Sequence, residues 1–396
     1  MLAPADRTLL DTAIAAAEVS AADLWAVGGA VRDLAAGLPV RDVDLATAGD
    51  PARLAAAVAS QVQGQMLTEP RFGTASVRLG DHRLDFTALR TERYARPGAL
   101  PTVRLGASLE DDLARRDFTV NAFALGLTGR IRDNVVDPFG GLDDLRDRRL
   151  RVLHNRSFVD DATRLWRGAR YATRLRLRPD PTTATLIAEG GRWLASISAR
   201  RLWAEYERTA AERRVGAALN LLDRWGVLTA THPGFHLDPA AKQALRGRPG
   251  PISSGLLLAV LIAPLNIRVQ PAIERRLGAP RAAVRAVADA TRLLNTADDD
   301  PDTLEALSAT DEAARTAALW LGPVPQRQYQ RALRRWERTR PPLGAHDLMR
   351  LGIAEGPALG RVLRRLRRER YLGTLTGVRE ARRLARRWAD EGDRGP

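Results

Sequence analysis

The sequence predicts an α+β protein in which a mixed strand-and-helix part gives way, near residue 150, to an all-helical remainder. Three observations carry this. Short apolar runs at Leu24–Val27, Val43–Ala46, Ala75–Leu79 and Leu84–Ala88 are separated by glycines and charged turns, as strands are. Pro51–Val62 reads as a helix between the second and third of them. Beyond residue 150, Asp160–Leu175, Arg200–Arg213 and Gly216–Trp225 carry helical spacing and strand signals nearly vanish. At 396 residues the chain has room for two or three domains of roughly 100–200 residues each.

The first strand ends in a glycine pair, Trp25-Ala26-Val27-Gly28-Gly29-Ala30-Val31-Arg32-Asp33, and a helix-like segment follows. Gly28 and Gly29 let backbone approach a ligand closely, and the amides opening the next helix suit phosphate. The second strand carries Arg41-Asp42-Val43-Asp44. Strand side chains alternate faces, so Asp42 and Asp44 point the same way. Paired carboxylates on one face suit hard divalent cations. A glycine turn or an Asp-x-Asp alone is common; their order and closeness describe a site for a nucleoside triphosphate with magnesium.

The whole string, G-G-x-V-R-D with D-x-D-L-x-T after it, resembles the signature of the class II tRNA nucleotidyltransferase and bacterial poly(A) polymerase superfamily. The resemblance implies a polymerase-β-like nucleotidyltransferase palm followed by an all-α neck, body and tail. The expected bounds are 1–141 for the head, 142–215 for a neck with a nucleotide-template helix, and 216–396 for a tRNA-binding body and tail. It implies two Mg2+ ions on Asp42 and Asp44, with Gly28, Gly29 and Arg32 beside the nucleotide. A third acid is expected at Asp85, in Arg83-Leu84-Asp85-Phe86-Thr87, where a strand-edge acid is the equal alternative.

A second motif runs Leu109-Glu110-Asp111-Asp112-Leu113-Ala114-Arg115-Arg116-Asp117-Phe118-Thr119-Val120-Asn121-Ala122. It is similar to the family element in which arginine meets the triphosphate and aspartate the ribose, which assigns Arg115, Arg116 and Asp117, with Asn121 beside them. Guanidinium pairs with phosphate and a carboxylate accepts from a 2′-hydroxyl, so the roles are chemically reasonable. Glu110 and Asp111 read as first-turn helix acids.

A third motif is Phe158-Val159-Asp160-Asp161-Ala162-Thr163-Arg164-Leu165-Trp166-Arg167-Gly168-Ala169-Arg170. On one helix, Asp161 and Arg164 would share a face, as an exposed ion pair worth tenths of a kcal/mol or as something more. The family's E-D-x-x-R acts as a protein template in which acid and arginine bond the edge of the incoming base. Asp160 stands where glutamate is usual, and Arg167 and Arg170 extend the expected basic face. Asp137-Pro138-Phe139-Gly140-Gly141-Leu142-Asp143-Asp144-Leu145 resembles the family's head-to-neck link. Gly344-Ala345-His346-Asp347-Leu348, with Gly352, Gly356-Pro357 and Gly360, resembles its C-terminal segment. Between these the chain is only generically helical, and Arg200 replaces a glutamate often found after Ile197-Ser198.

The formal charge of +15 points to a polyanionic partner. Nearly all of it is arginine, with Lys242 the only lysine. A GC-rich genome would explain arginine for lysine but not the excess over acid. Arg361, Arg364, Arg365, Arg367 and Arg368 crowd the stretch after Gly356–Gly360. We expect Arg361, Arg364, Arg365 and Arg368 to meet RNA, although a solvated face has the same pattern. The acidic run Asp298–Asp302 and the segment 246–251 read as loops. The lack of cysteine excludes disulfides, thiolate zinc sites and cysteine nucleophiles. No signal peptide is evident and no apolar run nears the ~20 residues of a membrane span, so a cytoplasmic protein is expected.

The function expected from the resemblance is untemplated addition of C and/or A to a tRNA 3′ end from CTP and ATP. The 3′-hydroxyl attacks the α-phosphate and pyrophosphate leaves. The alternatives are a partial CC-adding or A-adding enzyme, a poly(A) polymerase, and an inactive RNA-binding relative. Glu69-Pro70-Arg71-Phe72-Gly73-Thr74 stands where poly(A) polymerases carry an L-G-R-R-F-type element, which disfavours that rival. Intact motifs disfavour the inactive relative. With five histidines, and His346-Asp347 isolated, an added metal-dependent phosphohydrolase is disfavoured too. The segment Arg90–Pro101 corresponds to the family loop that distinguishes partial CC-adding enzymes, which lack a flexible element there.

Overall fold

The computed structural model describes residues 3–40, 43–295, 301, 304, 305, 308, 310–322 and 326–392. Asp42 lies outside them, as do Asp298–Asp300 and Asp302 of the acidic run. The chain divides into two compact units: 1–236 with 247–251 and 275–278, and 237–246 with 252–274 and 279–396.

The first unit opens with α1 (Pro4–Val19), then β1 (Leu24–Val27), α2 (Gly29–Ala35), β2 (Val43–Thr47) and α3 (Pro51–Val62). There follow β3 (Gln65–Glu69), β4 (Thr74–Leu79), β5 (His82–Ala88), β6 (Arg90–Arg93) and β7 (Thr102–Leu105). Next come α4 (Leu109–Ala114), a 3-10 turn at Thr119–Asn121, β8 (Ala124–Gly126) and β9 (Val135–Val136). Seven strands form one sheet in the order β3-β4-β5-β2-β1-β8-β9, while β6 and β7 pair as a separate antiparallel hairpin. The sheet is mixed: β2 runs parallel to β5 and antiparallel to β1.

Alternation along β1 separates two cores. Leu24 and Ala26 join Leu45, Leu84 and Phe86 beneath Leu9 and Ala13 of α1 and Leu54 and Val58 of α3. Trp25 and Val27 face the other way with Ala46, against Leu113, Ala122 and Ala124. α3 starts where the sequence placed it because Pro51 supplies a fixed φ and Asp50 accepts from the Ala52 amide at 2.8 Å. β3, by contrast, has an almost wholly exposed burial pattern, so it lacks the apolar run that marks a strand.

The helical part of this unit comprises α5 (Gly141–Arg146), α6 (Ser157–Asp160), α7 (Thr163–Leu175), α8 (Pro181–Gly190), α9 (Ala199–Ala210), α10 (Val215–Arg224) and α11 (Val227–Thr231). Among the described residues its only strands are β10 (Arg149–Leu150) and β11 (Arg178–Pro179), a short parallel pair. The expected single helix Asp160–Leu175 is corrected: the chain breaks at Asp161, whose φ of −144° and ψ of 96° are extended, and restarts at Thr163. α7 and α9 bury Leu165, Trp166, Leu202 and Tyr206.

The second unit is helical. Leu257–Ile262, within the helix Ser254–Ile262, are buried on every side, which erases the amphipathic signal of that segment. Its C-terminal helices, Ala345–Met349, Pro357–Leu372 and Val378–Gly392, enclose Leu348, Leu359, Leu366, Ala385 and Trp388. Thus the G-x-D-L…G…G-P…G segment supplies core leucines and turn glycines, with Gly352 and Gly356 at φ of 91° and 135°. Among the described residues no helix is long and apolar enough to cross a membrane.

Candidate active site

Register places the acids. Asp44 on β2 lies opposite Val27 on β1 and Asp85 on β5, so Asp44 and Asp85 occupy equivalent positions on adjacent parallel strands and share a face. Asp44 is exposed there, while Val43 and Leu45 beside it are buried. Asp85, on an interior strand between β4 and β2, is held by Arg83 Nε at 2.7 Å on the partly exposed sheet face.

Gly28 sits at the end of β1 with φ of 67° and ψ of −131°, a conformation that favours glycine, and it begins α2. A Cβ added there would lie 2.9 Å from Arg116 Nη1 and 3.7 Å from Asp44 Oδ2. The glycine backbone, one arginine head and one carboxylate therefore frame a cradle that a side chain would fill. Arg116 donates from Nη2 to Asp112 Oδ2 at 3.0 Å, and its buried Nε has no hydrogen-bond partner. Gly29 follows, with the Arg32 head near it.

Arg115 is more fully occupied, bonding Asp112 through Nε and Nη2 and Glu92 Oε1 through Nη1 at 2.8 Å. Arg32 is buried; it donates to Asn121 Oδ1 at 2.6 Å and to Asp33, and lies 5.1 Å from the Tyr171 ring centre. It ties α2 to the Thr119–Asn121 turn. Asn121 in turn donates to Asp117 Oδ1, which also accepts from the Phe118 amide. Asp117 Oδ2 lies 2.8 Å from Arg167 Nη2 without an aligned N–H, so it keeps acceptor capacity. Burial opposes ionisation of Asp117, yet the charge of Arg167, the Asn121 bond and Arg164 together hold its carboxyl below the usual range.

The template pair differs from the expectation of one shared helix face. Asp161 stands in the break before α7, where its Oδ1 accepts from the Thr163 amide and hydroxyl and pairs with Arg201 Nη2 at 2.7 Å. Arg164 is buried and turns inward, donating to Ser157 Oγ at 2.7 Å and to the Arg115 carbonyl at 3.0 Å. It buttresses the Arg-Arg-Asp motif from behind. Arg170 is corrected from an open basic face to the packing of α7 against α9. It is 5% exposed and bonds Glu205 Oε2 at 2.5 Å, with Glu212 at 3.7 Å.

Two participants, Glu92 and Arg201, carried no signal in the sequence because the site residues they hold, Arg115 and Asp161, are distant along the chain. Glu92 on β6 joins Arg90, Arg115 and Tyr94, and burial, then the Glu92 charge, pushes the Tyr94 hydroxyl well above its usual range. Arg201 reaches both Asp161 and, at 3.0 Å, the Gly98 carbonyl. The 90–101 segment is thereby the strand β6 and a tip tied to α9. The head-to-neck link is also structural: Asp137 caps α5 at the Gly141 and Leu142 amides, and buried Asp144 holds Thr119 and Arg151. Arg361, Arg364 and Arg365 are exposed on Pro357–Leu372 and Arg368 is half-buried; Arg365 stacks 4.3 Å from Trp388.

Among the described residues no three His, Cys, Asp or Glu side chains cluster as a metal site. Asp44 and Asp85 nevertheless offer the all-oxygen donors that a hard cation takes, beside the Gly28 backbone and the Arg116 head.

Comparison with known proteins places the chain by sequence and by fold. The family model for the poly A polymerase head domain matches residues 24–151. A CC-adding tRNA nucleotidyltransferase of Deinococcus radiodurans is 35% identical over 366 residues, covering 92% of this chain and 89% of that protein. An A-adding tRNA nucleotidyltransferase of Halalkalibacterium halodurans is 31% identical over 383 residues, covering 92% and 88%. A solved structure of a CCA-adding enzyme, apo form II, has the same fold, with a TM-score of 0.80 at 22% identity over 96% of this chain and 95% of that one.

Proposed function

The chain belongs to the tRNA nucleotidyltransferase family, and from that membership we propose how its head works. It is a tRNA nucleotidyltransferase that adds C and/or A to tRNA 3′ ends from CTP and ATP, releasing pyrophosphate. The convergence of Gly28, Asp44 and Arg116, with Asp85 in register, carries the reading. Asp44 and Asp85, with Asp42, would hold magnesium, which when bound supplies Lewis-acid activation of the 3′-hydroxyl and neutralises charge on the α-phosphate. The Gly28–Gly29 backbone and Arg116 hold the triphosphate, whose oxygens suit the unfilled Arg116 donor. Arg115, fixed by Glu92 and Asp112, lends positive charge nearby. Asp117 accepts from the ribose through Oδ2, with Asn121 and Arg167 holding it ionised. Asp161 meets the base edge, and Arg164 positions both Arg115 and the start of α7. The test is to supply tRNA ending at the discriminator base, in C or in CC, with CTP and ATP given separately. Failure to extend any of the three would overturn the reading, and the pattern tells CC, A and CCA addition apart.

Asp161→Asn should change base choice while leaving triphosphate affinity near wild type. Arg164→Ala should damage both, because it removes the support of the Arg115 carbonyl. Side-by-side incorporation of CTP, ATP, GTP and UTP measures this; an unchanged preference in Asp161→Asn would reduce Asp161 to a helix cap and an Arg201 partner.

We also propose that the arginines of Pro357–Leu372 bind tRNA phosphates. Neutralising Arg361 and Arg364 together should lower the log-log salt slope of tRNA binding by roughly one for each phosphate left unneutralised. A full wild-type slope in the folded double variant would make this helix face solvated surface only.

A further inference from the structure

We propose that a second, arginine-lined cleft in the first unit binds phosphates of the tRNA outside its 3′ end. The proposal rests on the tRNA reading above. The cleft is about 1470 Å³, floored by the β10–β11 pair and walled by the C-terminal end of α7 and by α10. Seven of its lining residues are arginines and two are aspartates. Both aspartates are already engaged: Asp147 with Arg146 and Arg149, and Asp180 as the cap of α8 on the Thr183 amide. Arg149 and Arg151 are taken by Asp144 and Asp147. Arg148, Arg176, Arg178, Arg214 and Arg224 have no carboxylate partner among the described residues, and all five are exposed.

Backbone conformation strengthens the case. Arg148 and Arg176 hold φ of 55° and 59°, the left-handed region that glycine or asparagine occupies at least cost. Arg176 is the residue capping the C-terminal end of α7, where glycine is the usual choice. Two cations thus sit where folding alone favours glycine, and both line this one cleft. The Arg178 amide donates to the Arg148 carbonyl at 2.8 Å, which locks the two loops together. Half-buried Trp225 adds a flat apolar face of the kind on which bases and sugars rest.

The occupant follows from size and spread. The volume exceeds the ~300–1,000 Å³ that small-ligand pockets typically enclose. The free cations come from three separate segments, the turn before β10, the loop after α7 and the two ends of α10, which suits a run of phosphates better than one compact anion. Arg176 is twelve residues beyond Arg164 along the α7 direction, about 18 Å at helical rise, so this is not the nucleotide site.

The experiment reads tRNA binding without CTP or ATP, over a range of salt, in the full chain. Arg178→Glu with Arg224→Glu leaves the left-handed positions untouched; it should raise the tRNA Kd at least tenfold and flatten the salt slope. Arg178→Lys with Arg224→Lys should restore most of both. Arg148→Gly with Arg176→Gly should weaken tRNA binding several-fold while the melting temperature holds or rises, since glycine relieves the backbone. Wild-type Kd and slope in the charge-reversed protein would overturn the proposal. So would loss of inorganic tripolyphosphate binding with tRNA binding intact, which would mark a small-polyphosphate site. A lower melting temperature with unchanged tRNA affinity in the glycine pair would make those arginines structural and overturn it equally. A wild-type protein that binds tRNA but adds no nucleotide would sink the transfer reading and leave the cleft test standing.

Discussion

Asp44→Ala should lower nucleotide addition by roughly 10³-fold, about 4 kcal/mol of transition-state stabilisation, with the head still folded. Asp44 is exposed on β2, and its burial-poor position means that the two cores on either side of the sheet do not depend on it. Surface substitutions of this kind usually change stability by no more than about 0.5 kcal/mol. The loss therefore has to come from the site, where Asp44 Oδ2 faces the cradle at Gly28 and its neighbour in register is Asp85. Labelled CMP incorporation into tRNA, with thermal melting as the fold check, decides it. Transfer within tenfold of wild type would remove Asp44 from the catalytic centre and with it the carboxylate-pair reading.

Arg170→Ala should fail in a different way, by loss of stability rather than of base choice. Arg170 and Glu205 are 6% and 5% exposed at the side chain and meet at 2.5 Å, with Glu212 beside them. Removing the cation leaves Glu205 with only the exposed Arg208 and Glu212 with only Arg174, so the loss should fall at the lower end of the about 3–5 kcal/mol that breaking a buried pair costs. Denaturant unfolding should show that loss, while the folded fraction keeps the wild-type preference among CTP, ATP, GTP and UTP. An altered preference with undiminished stability would return Arg170 to the nucleotide site, where the motif alone had placed it.

These two residues mark how far the motifs could be read. Gly28-Gly29, Asp44 and Arg116 were assigned from spacing and resemblance, and the structure brings them around one cradle. β1 and α3 were legible to the residue because each carries its own local signal: an apolar run ending in glycines, and a Pro51 start behind the Asp50 cap. β3 was not, since an exposed edge strand has no apolar face to show. The Asp160–Leu175 helix was legible in period but not in its break, which depends on Asp161 folding back onto the Thr163 amide and being held by Arg201.

By itself the sequence determined the α+β order of the chain, the family and the chemical types gathered at the site. Those follow from local periodicity, from turn chemistry and from residue identity within short motifs. Only the tertiary structure decided which arginines are free to act. Arg164 and Arg170 look alike in the motif, yet one buttresses the Arg115 carbonyl and the other is sunk against Glu205. Their partners lie 49 and 35 residues away, and ion pairing at that separation exists only once helices and sheet have packed. The same holds for Arg148 and Arg176, whose left-handed backbones and shared cleft no spacing rule reveals, because a charge declares its role through what surrounds it and the fold supplies the surroundings.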